Sequence, residues 1–212
     1  MDVLDGAIDF IAFLYALLFF PAPFFWLLIH PAIRFWRRFG RRAYWVAIPV
    51  WAGFAGLLLL YREKILGNRF DRTAPIWMLG IVLVAGGIWL NRQVRQQFTW
   101  KRMIGLPEIN PGKHPGGVVR SGIYGWMRHP RYMEFMLTFT GLAFLTSAPG
   151  IFVLAILTFL MYLIVAPLEE RELRDQYGAE YTAYAREVPR FLPRLRWRSS
   201  SPISSGTGGS HA

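Results

Sequence analysis

Two short groups of charged and aromatic residues interrupt a chain that is otherwise rich in apolar residues. The first is RHPRY (128–132), and the second, about forty residues later, is PLEERE (167–172). Pro130 suits the first turn of a helix, and the amides at a helix start can bind an anion such as a carboxylate. Glu169 and Glu170 offer the opposite charge to a cationic group. Together, the two groups would suit a zwitterion that carries an additional positive centre.

The composition places these residues in a membrane protein. The 212 residues are 54% hydrophobic, 17% aromatic and 17% charged, which is too apolar for an ordinary soluble domain. A membrane-spanning helix needs about 17 to 25 apolar residues, and five runs meet that need. The runs are roughly Ala7–Ile29, Ala43–Tyr61, Ala74–Leu90, Tyr132–Ser147 and Ile151–Pro167. We therefore predict an all-α integral membrane protein with five transmembrane helices and a cytoplasmic C-terminal helix.

The first run is predicted to be a permanent helix. Asp2 and Asp5 precede it, whereas a signal peptide would carry a basic segment there. Pro21 and Pro23 are expected to kink this helix, which membrane proteins tolerate when neighbouring groups satisfy the freed carbonyls.

The fourth and fifth runs are predicted to form a tight antiparallel hairpin. They are joined by SAPG (147–150), an uncharged turn sequence with adjacent proline and glycine. Because the two runs are nearly equal in length, the start of one and the end of the other should lie at the same level. The hairpin would thus bring 128–132 beside 167–172.

The distribution of basic residues predicts the orientation in the membrane. With five spans, twenty Lys and Arg residues fall on one side and four on the other. The positive-inside rule then places the N-terminus outside and the C-terminus, with the two polar groups, in the cytoplasm. The net charge of +11 is expected to attract anionic lipid headgroups. The chain carries no nucleic-acid-binding motif, so we expect membrane lipids and no nucleic acid as partners.

The remaining segments are assigned by composition. QVRQQFTWKRMI (93–104) is typical of an interfacial amphipathic segment, and GLPEINPGKHPGG (105–117) predicts an irregular loop that could act as a lid. We predict one domain over residues 1–198 and a disordered tail over 199–212. The absence of cysteine excludes disulfides, thiolate metal sites and cysteine nucleophiles, and we expect no metal site.

Four sequence blocks resemble a known enzyme family. SGIYGWMRHPRY (121–132) followed by EERELRDQYGAEYTAYAREVPRFLP (169–193) resembles the isoprenylcysteine carboxyl methyltransferases. That family is part of a wider group of integral-membrane methyltransferases that includes phospholipid N-methyltransferases. The blocks are G-x-Y before R-H-P-x-Y, then E-E-x-x-L, a tyrosine-rich stretch and a closing P-R-F-x-P. The resemblance covers about 118–193, which we take as the catalytic region.

The resemblance implies an S-adenosylmethionine-dependent methyltransferase. In such enzymes the cofactor pocket faces the cytoplasm, and a lipophilic acceptor arrives from the bilayer. The residues that would line the cofactor pocket are His129, Pro130, Tyr132, Glu169 and Glu170. One departure is Glu134, since members often have glycine there, and a carboxylate could crowd or recharge the pocket. A glycine-rich turn after a strand, as in Rossmann-like cofactor sites, is missing from the sequence.

Each residue can be given a role towards the cofactor. Glu170, with Glu169 second, is predicted to bind the cofactor's ammonium group. The backbone near His129 and Pro130 is predicted to bind its carboxylate. The aromatic candidates for packing on the adenosine are Tyr124 and Tyr132.

The acceptor decides which further residues matter. Arg128, Arg186 and Arg190 are candidates to hold an anionic acceptor, because guanidinium groups suit carboxylates and phosphates. Methyl transfer to a carboxylate needs positioning and no base. An amine or a thiol must lose a proton, and the candidate bases are Glu134, Glu169, Glu170 and His129. The predicted catalytic residues are Arg128, Glu134 and Arg190.

Several functions stay open at this point. The preferred reaction is carboxyl O-methylation of an isoprenylcysteine-like substrate, and the alternatives are N-methylation of a phospholipid and S-methylation of a small thiol. Outside the methyltransferases, the chain could be an NADPH-dependent membrane reductase or a non-catalytic scaffold. Binding of S-adenosylmethionine or of NADPH would separate these classes.

Overall fold

The protein is all-helical in the residues that the structure, a computed structural model, describes, which are 3–97 and 117–192. These residues form α-helices, 3₁₀ turns and connecting segments, and no β-strand. The predicted all-α fold is therefore confirmed.

The N-terminal apolar stretch is divided into consecutive helices. α1 is Val3–Phe19, α2 is Ala22–Ile29 and, after a 3₁₀ turn at His30–Ala32, the short α3 is Ile33–Trp36. The break between α1 and α2 falls at Pro21, because proline lacks the amide hydrogen that would continue the helical hydrogen bonds.

Three helices follow in the middle of the chain. A 3₁₀ stretch at Gly40–Val46 leads into α4 (Ala47–Leu60), which is followed by α5 (Arg62–Gly67) and by α6 (Ala74–Gln97). Many large apolar side chains of α4 and α6 are exposed. Such a surface is costly in water and is expected for helices that border lipid.

The last two helices form a hairpin. α7 is Pro130–Thr146 and α8 is Pro149–Glu187, so only two residues lie between them. Ser147 adopts a left-handed conformation with φ 54°, which reverses the chain. The predicted tight antiparallel hairpin is confirmed.

Near its C-terminal end, α8 changes direction at Gly178. This residue has φ 56° and ψ −125°, a conformation that glycine adopts readily because it has no Cβ. Beyond the bend, Tyr181 and Tyr184 are buried together with Val188. The bend therefore returns the chain towards the start of α7.

The protein is a multi-pass integral membrane protein. Within the described residues, four helical stretches are long and apolar enough to cross a bilayer, namely Val3–Trp36, Gly40–Leu60, Ala74–Gln97 and Pro149–Glu187. They contain the first, second, third and fifth predicted spans. The fourth, predicted over Tyr132–Ser147, forms α7, whose 17 residues are at the lower limit for a span. The number five and the orientation stay predictions.

α6 and α7 approach each other closely through glycines. A Cβ placed on Gly141 of α7 would lie 2.8 Å from the amide nitrogen of Val84 and 2.9 Å from the carbonyl oxygen of Gly80. Gly87 of α6 in turn faces Thr138. Small residues at such positions let membrane helices gain backbone contacts that larger side chains would prevent.

Two ion pairs lie at the end of the helices near the hairpin turn. Asp5 pairs with Arg72 and Asp9 with Arg69. Arg72 Nη2 also donates to the carbonyl oxygen of Thr146 at 3.2 Å. These contacts join α1 to the segment before α6 and to the end of α7. Two of the four basic residues assigned to this side thus have acidic partners.

Three predictions concern residues outside the described ranges. Of the interfacial segment predicted over 93–104, the structure describes residues 93–97 as the end of α6. The predicted lid over 105–117, apart from Gly117, and the predicted disordered tail over 199–212 fall outside.

Because α6 and α7 are in close contact, a single methyl group added between them should reduce the stability of the protein. Gly141→Ala should destabilise the protein by about 1–3 kcal/mol, because the added Cβ meets backbone atoms that cannot move aside. Gly56→Ala is the control, since a Cβ there meets nothing within 4 Å. Thermal unfolding in detergent, followed by tryptophan fluorescence, measures both. Equal unfolding temperatures for the two variants would contradict the prediction.

Candidate functional site

The hairpin brings the two polar groups of the sequence into direct contact. Arg128 Nη2 lies 2.7 Å from Glu170 Oε1, and Tyr132 Oη donates to Glu169 Oε2 at 2.7 Å. Arg128 lies two residues before α7 and Tyr132 lies in its first turn, and both glutamates lie in α8. The predicted proximity of 128–132 and 167–172 is confirmed.

Glu170 is at the centre of the site. Its side chain is fully buried, and it is surrounded by three guanidinium groups and one imidazole. Its Oε1 lies 2.7 Å from Arg128 Nη2, 2.9 Å from Arg190 Nε and 3.1 Å from His129 Nε2, and its Oε2 lies 3.1 Å from Arg174 Nη2. Burying a carboxylate is costly unless it is paired and hydrogen-bonded, and both oxygens of Glu170 meet that condition.

Glu169 has a different environment from its neighbour. It accepts a hydrogen bond from Tyr132 and lies 3.3 Å from His129 Nδ1. Its side chain is 23% exposed, whereas that of Glu170 is 0% exposed. A ligand can therefore reach Glu169 without displacing an arginine, which it cannot do at Glu170.

The segment after α8 closes over the start of α7. The amide of Arg128 donates to the carbonyl of Pro189 at 2.9 Å, and the amide of His129 donates to the carbonyl of Arg190 at 3.0 Å. The backbone amide of His129, which the sequence predicts as a donor to an anion, is thus already bonded. Pro130, the first residue of α7, is buried and has no amide hydrogen. Amides in a first helical turn lack intrahelical acceptors, and the amide of Met133 already donates to the carbonyl of His129. The candidate anion donors are therefore the amides of Arg131 and Tyr132.

A stack of aromatic rings leads from the site into the helices. The His129 ring is stacked on Tyr132 with a centroid distance of 5.1 Å, and Tyr132 is stacked on Tyr162 at 4.3 Å. Phe135 continues the stack at 5.9 Å from Tyr162, and Phe191 lies 5.8 Å from His129. The stack forms an apolar wall beside the two glutamates.

Tyr124, the other predicted adenosine contact, lies in a separate apolar cluster. It packs against a group of buried residues that includes Ile123 and Met127. Its carbonyl oxygen accepts a hydrogen bond from Tyr184 Oη at 2.7 Å. Tyr124 therefore holds the segment before α7 against the end of α8, while Tyr132 contacts the glutamates directly.

Glu134 is buried one turn further along α7. Its Oε2 lies 3.1 Å from Arg131 Nη1, and the Arg131 guanidinium stands 4.5 Å from the centre of the Phe135 ring. The carboxylate that replaces the family's frequent glycine is thus compensated by a local cation. It is not among the groups around Glu170.

The three arginines proposed for an anionic acceptor differ in position. Arg128 and Arg190 both contact Glu170, with side chains 9% and 38% exposed. Arg186 is exposed near the C-terminal end of α8. The structure therefore brings two of the three into the site.

A second group of ionic residues lies one turn along α8. Glu172, which is buried, accepts from Arg37 Nη2 at 2.8 Å and lies 2.8 Å from His30 Nδ1. Arg37 Nη2 also donates to Gln176 Oε1 at 3.0 Å. The His30 ring is stacked on Trp26 with a centroid distance of 5.1 Å. The N-terminal segment thus packs against α8 next to the turn that carries Glu169 and Glu170.

His129 is held in a charged environment. Burial alone would lower the pKa of its imidazole, but the carboxylates of Glu169 and Glu170 raise that pKa above its ordinary value. Both ring nitrogens face a carboxylate oxygen, which suits the doubly protonated ring.

Comparisons with known proteins agree with this geometry. The sequence pattern of the family described as phospholipid methyltransferase matches residues 76–180, nearly half of the chain. The resemblance to integral-membrane methyltransferases is therefore confirmed.

Three relatives are methyltransferases that are named for different acceptors. Methanethiol S-methyltransferase 2 of Bradyrhizobium diazoefficiens is 36% identical over 73 residues, 34% of this chain and 27% of that protein. A methanethiol S-methyltransferase of Pseudomonas sp. (strain GM41(2012)) is 36% identical over 126 residues, 57% of this chain and 45% of that protein. Protein-S-isoprenylcysteine O-methyltransferase B of Arabidopsis thaliana is 30% identical over 77 residues, 36% of this chain and 39% of that protein.

These matches cover only part of each protein. The chain spans less than half of the length of each of these three relatives. No solved structure matches the chain significantly.

The phospholipid methyltransferase region contains most of the site. It includes α7, both glutamates at 169 and 170, and Arg174. It does not include Arg190 or His30, which come from the segments on either side. The ionic site is therefore completed by residues from outside the matched region.

Three features of the site were not predicted. Tyr162 is 1% exposed and stacks on Tyr132. Because it precedes Glu169 by two turns of α8, the sequence could have placed it on the same helix face as that glutamate. Phe191 lies inside the closing P-R-F-x-P block. The contact of His30 with Glu172 joins residues 142 positions apart, and no local pattern indicates it.

The buried carboxylate predicts a large loss of stability on neutralisation. Glu170→Gln should destabilise the protein by about 3–5 kcal/mol, because three guanidinium groups would lose their buried counter-charge. Thermal unfolding in detergent measures the loss. Glu187→Gln, an exposed position at the end of α8, is the matched control and should behave like the unchanged protein. A small effect at Glu170 would show that water or anions replace the carboxylate.

The raised pKa of His129 predicts a pH dependence. Protonated His129 stabilises the fold through both glutamates, so its contribution is complete below the unfolded pKa of about 6.5. The contribution is lost as pH rises from there through the higher folded pKa. His129→Gln should therefore flatten the fall of unfolding temperature between neutral and mildly alkaline pH. Parallel curves for variant and unchanged protein would contradict the prediction.

Proposed function

We propose that the protein is a membrane-embedded S-adenosylmethionine-dependent methyltransferase that acts on a lipophilic acceptor. The observation that supports this most is that the phospholipid methyltransferase match contains most of the ionic site at the start of α7 and in α8. When bound, S-adenosylmethionine supplies an electrophilic methyl group on a sulfonium. The residues of the chain would supply binding, orientation and exclusion of water.

The site offers complementary partners for the charged ends of this cofactor. We assign the cofactor's ammonium group to Glu169, because this carboxylate is partly exposed while Glu170 is enclosed by arginines. Arg190, which is 38% exposed, and the first-turn amides of α7 are assigned to its carboxylate. Glu170 then acts indirectly, since it holds Arg128 and Arg190 in position.

The aromatic stack fits the remaining part of the cofactor. Tyr132 and Phe191 both contact His129 and border the glutamates. Flat apolar rings suit an adenine, which stacks on aromatic side chains. Tyr124 is proposed to support the aromatic stack without lining the cofactor pocket.

The charge of the site favours an acceptor that reacts as an anion. Three arginines and His129 surround two carboxylates, so the arginines alone leave an excess of positive charge. The cofactor adds its own positive centre. A carboxylate or a thiolate would offset this charge, whereas the amine of a phospholipid headgroup would not.

Two anionic acceptors are therefore proposed. A small thiol is supported by the names of the methanethiol S-methyltransferases among the relatives. An isoprenylcysteine-like carboxylate is supported by the plant relative and by the sequence blocks. The first must lose a proton and the second need not, so the two differ in their demand for a base.

The orientation proposed from the sequence is compatible with the fold. The ionic site lies at one end of the hairpin, and the pairs of Asp5 and Asp9 lie at the other. α7 has 17 residues, so about 25 Å separates the two ends. We propose that the site end, with its arginine-rich surroundings, faces the cytoplasm and that the acceptor enters from the bilayer.

Binding of S-adenosylhomocysteine tests the proposal. Calorimetry on detergent-purified protein should show affinity on the order of micromolar. Glu169→Gln should weaken it about tenfold or more, since a charge-assisted hydrogen bond to the ammonium is lost. Glu187→Gln should leave it unchanged. Absence of binding in a folded sample would overturn the proposal, and NADPH binding would then identify a reductase.

A further inference from the structure

We propose that His30, oriented by Glu172, is the proton acceptor for a thiol acceptor at this site. The inference rests on the proposed methyltransferase function and adds the acceptor class and the side from which it approaches. His30 comes from the N-terminal segment, outside the matched region, whereas Glu172 lies within it.

The pairing of His30 and Glu172 defines the state of the imidazole. His30 Nδ1 lies 2.8 Å from Glu172 Oε2, and Arg37 Nη2 lies 2.8 Å from Glu172 Oε1. Because the carboxylate oxygen of Glu172 accepts, Nδ1 is the nitrogen of His30 that carries hydrogen and donates it. In the neutral ring, Nε2 then bears the lone pair and can accept a proton.

His30 packs against the same turn of α8 as the proposed methylation site. Glu169 and Glu172 are three residues apart and therefore share a face of α8. Glu169 contacts His129 and Tyr132 from the side of α7, and Glu172 contacts His30 from the side of α2. Two histidine–glutamate pairs thus flank one turn of α8.

Trp26 connects the two pairs. It is stacked on the His30 ring with a centroid distance of 5.1 Å. It also packs against the buried cluster that contains Tyr132 and Tyr162. His30 itself is 6% exposed, so a proton that reaches it comes from a bound molecule more readily than from bulk water.

The chemical step balances without a further reactant. The S–H bond of the thiol breaks and its proton goes to Nε2 of His30. The acceptor sulfur forms a bond to the methyl group as the bond between the methyl group and the sulfonium breaks. The products are a thioether and the neutral S-adenosylhomocysteine, and His30 later returns its proton to water. Glu172 acts as a positioning residue, because it orients the ring and stabilises the imidazolium.

A comparison of two thiols tests the role of His30. Ethanethiol is largely protonated at neutral pH and needs a base, whereas thiophenol is largely ionised and does not. With ethanethiol, His30→Gln should lower kcat about 100-fold or more. With thiophenol, it should lower kcat less than about tenfold. S-adenosylhomocysteine should bind the variant as it binds the unchanged protein, within about twofold.

Two further variants serve as controls. Glu172→Gln keeps a hydrogen-bond acceptor for Nδ1 but removes the negative charge. Its kcat should therefore also fall more with ethanethiol than with thiophenol, but by less than that of His30→Gln. Arg34→Gln alters an exposed residue of the neighbouring α3 that pairs loosely with Asp175 at 3.9 Å, and it should leave both reactions unchanged.

The outcomes separate the inference from the proposed function. Equal losses with both thiols, or no loss with either, would show that His30 is structural and overturn the inference. Methylation of a prenylated carboxylate but of neither thiol by the unchanged protein would overturn the inference and leave the methyltransferase function standing. If the unchanged protein fails to bind S-adenosylhomocysteine, both fall.

Discussion

The buried carboxylate of Glu170 is the interaction on which the rest of the site depends. One negative charge with no exposed surface receives three guanidinium groups from three parts of the chain, which are the start of α7, α8 itself and the segment that follows it. Desolvating such groups costs several kcal/mol per ion and is offset only when every partner is in place. The arrangement therefore forms as a unit, and it fixes where the backbone of 188–192 crosses the start of α7.

α8 organises the site because it presents three glutamates to three different parts of the chain. Glu170 faces the arginines, Glu169 faces the aromatic stack, and Glu172 faces α2 and α3. Successive carboxylates on one helix would repel each other if they shared a face without cations. Here each has its own cationic or hydrogen-bonding partner. The division leaves Glu170 enclosed by its partners and Glu169 partly exposed.

Much of this arrangement could be predicted from the sequence, because it follows from local rules. The uncharged SAPG turn predicts the hairpin, and the hairpin in turn brings Arg128 to Glu170. Residues whose partners are distant in sequence could not be found in this way. His30, Arg37 and Glu172 show no pattern that relates them, since their contact depends on the angle at which α2 packs on α8. The relative importance of Glu169 and Glu170 was also hidden, because burial cannot be read from two adjacent identical residues.

The wide sequence separation of the ionic contacts has a consequence for biogenesis. Glu172 meets residues that were synthesised more than 130 positions earlier, and Glu170 meets Arg190, which is made after it. Contacts of such separation form late in folding. In a nascent chain whose first helices are already inserted, Arg37 and His30 lack their partner Glu172 until α8 has been synthesised. A chain stopped before residue 190 keeps its spanning helices but lacks an arginine of the ionic centre. Translation must therefore pass residue 190 before the ionic site can be complete.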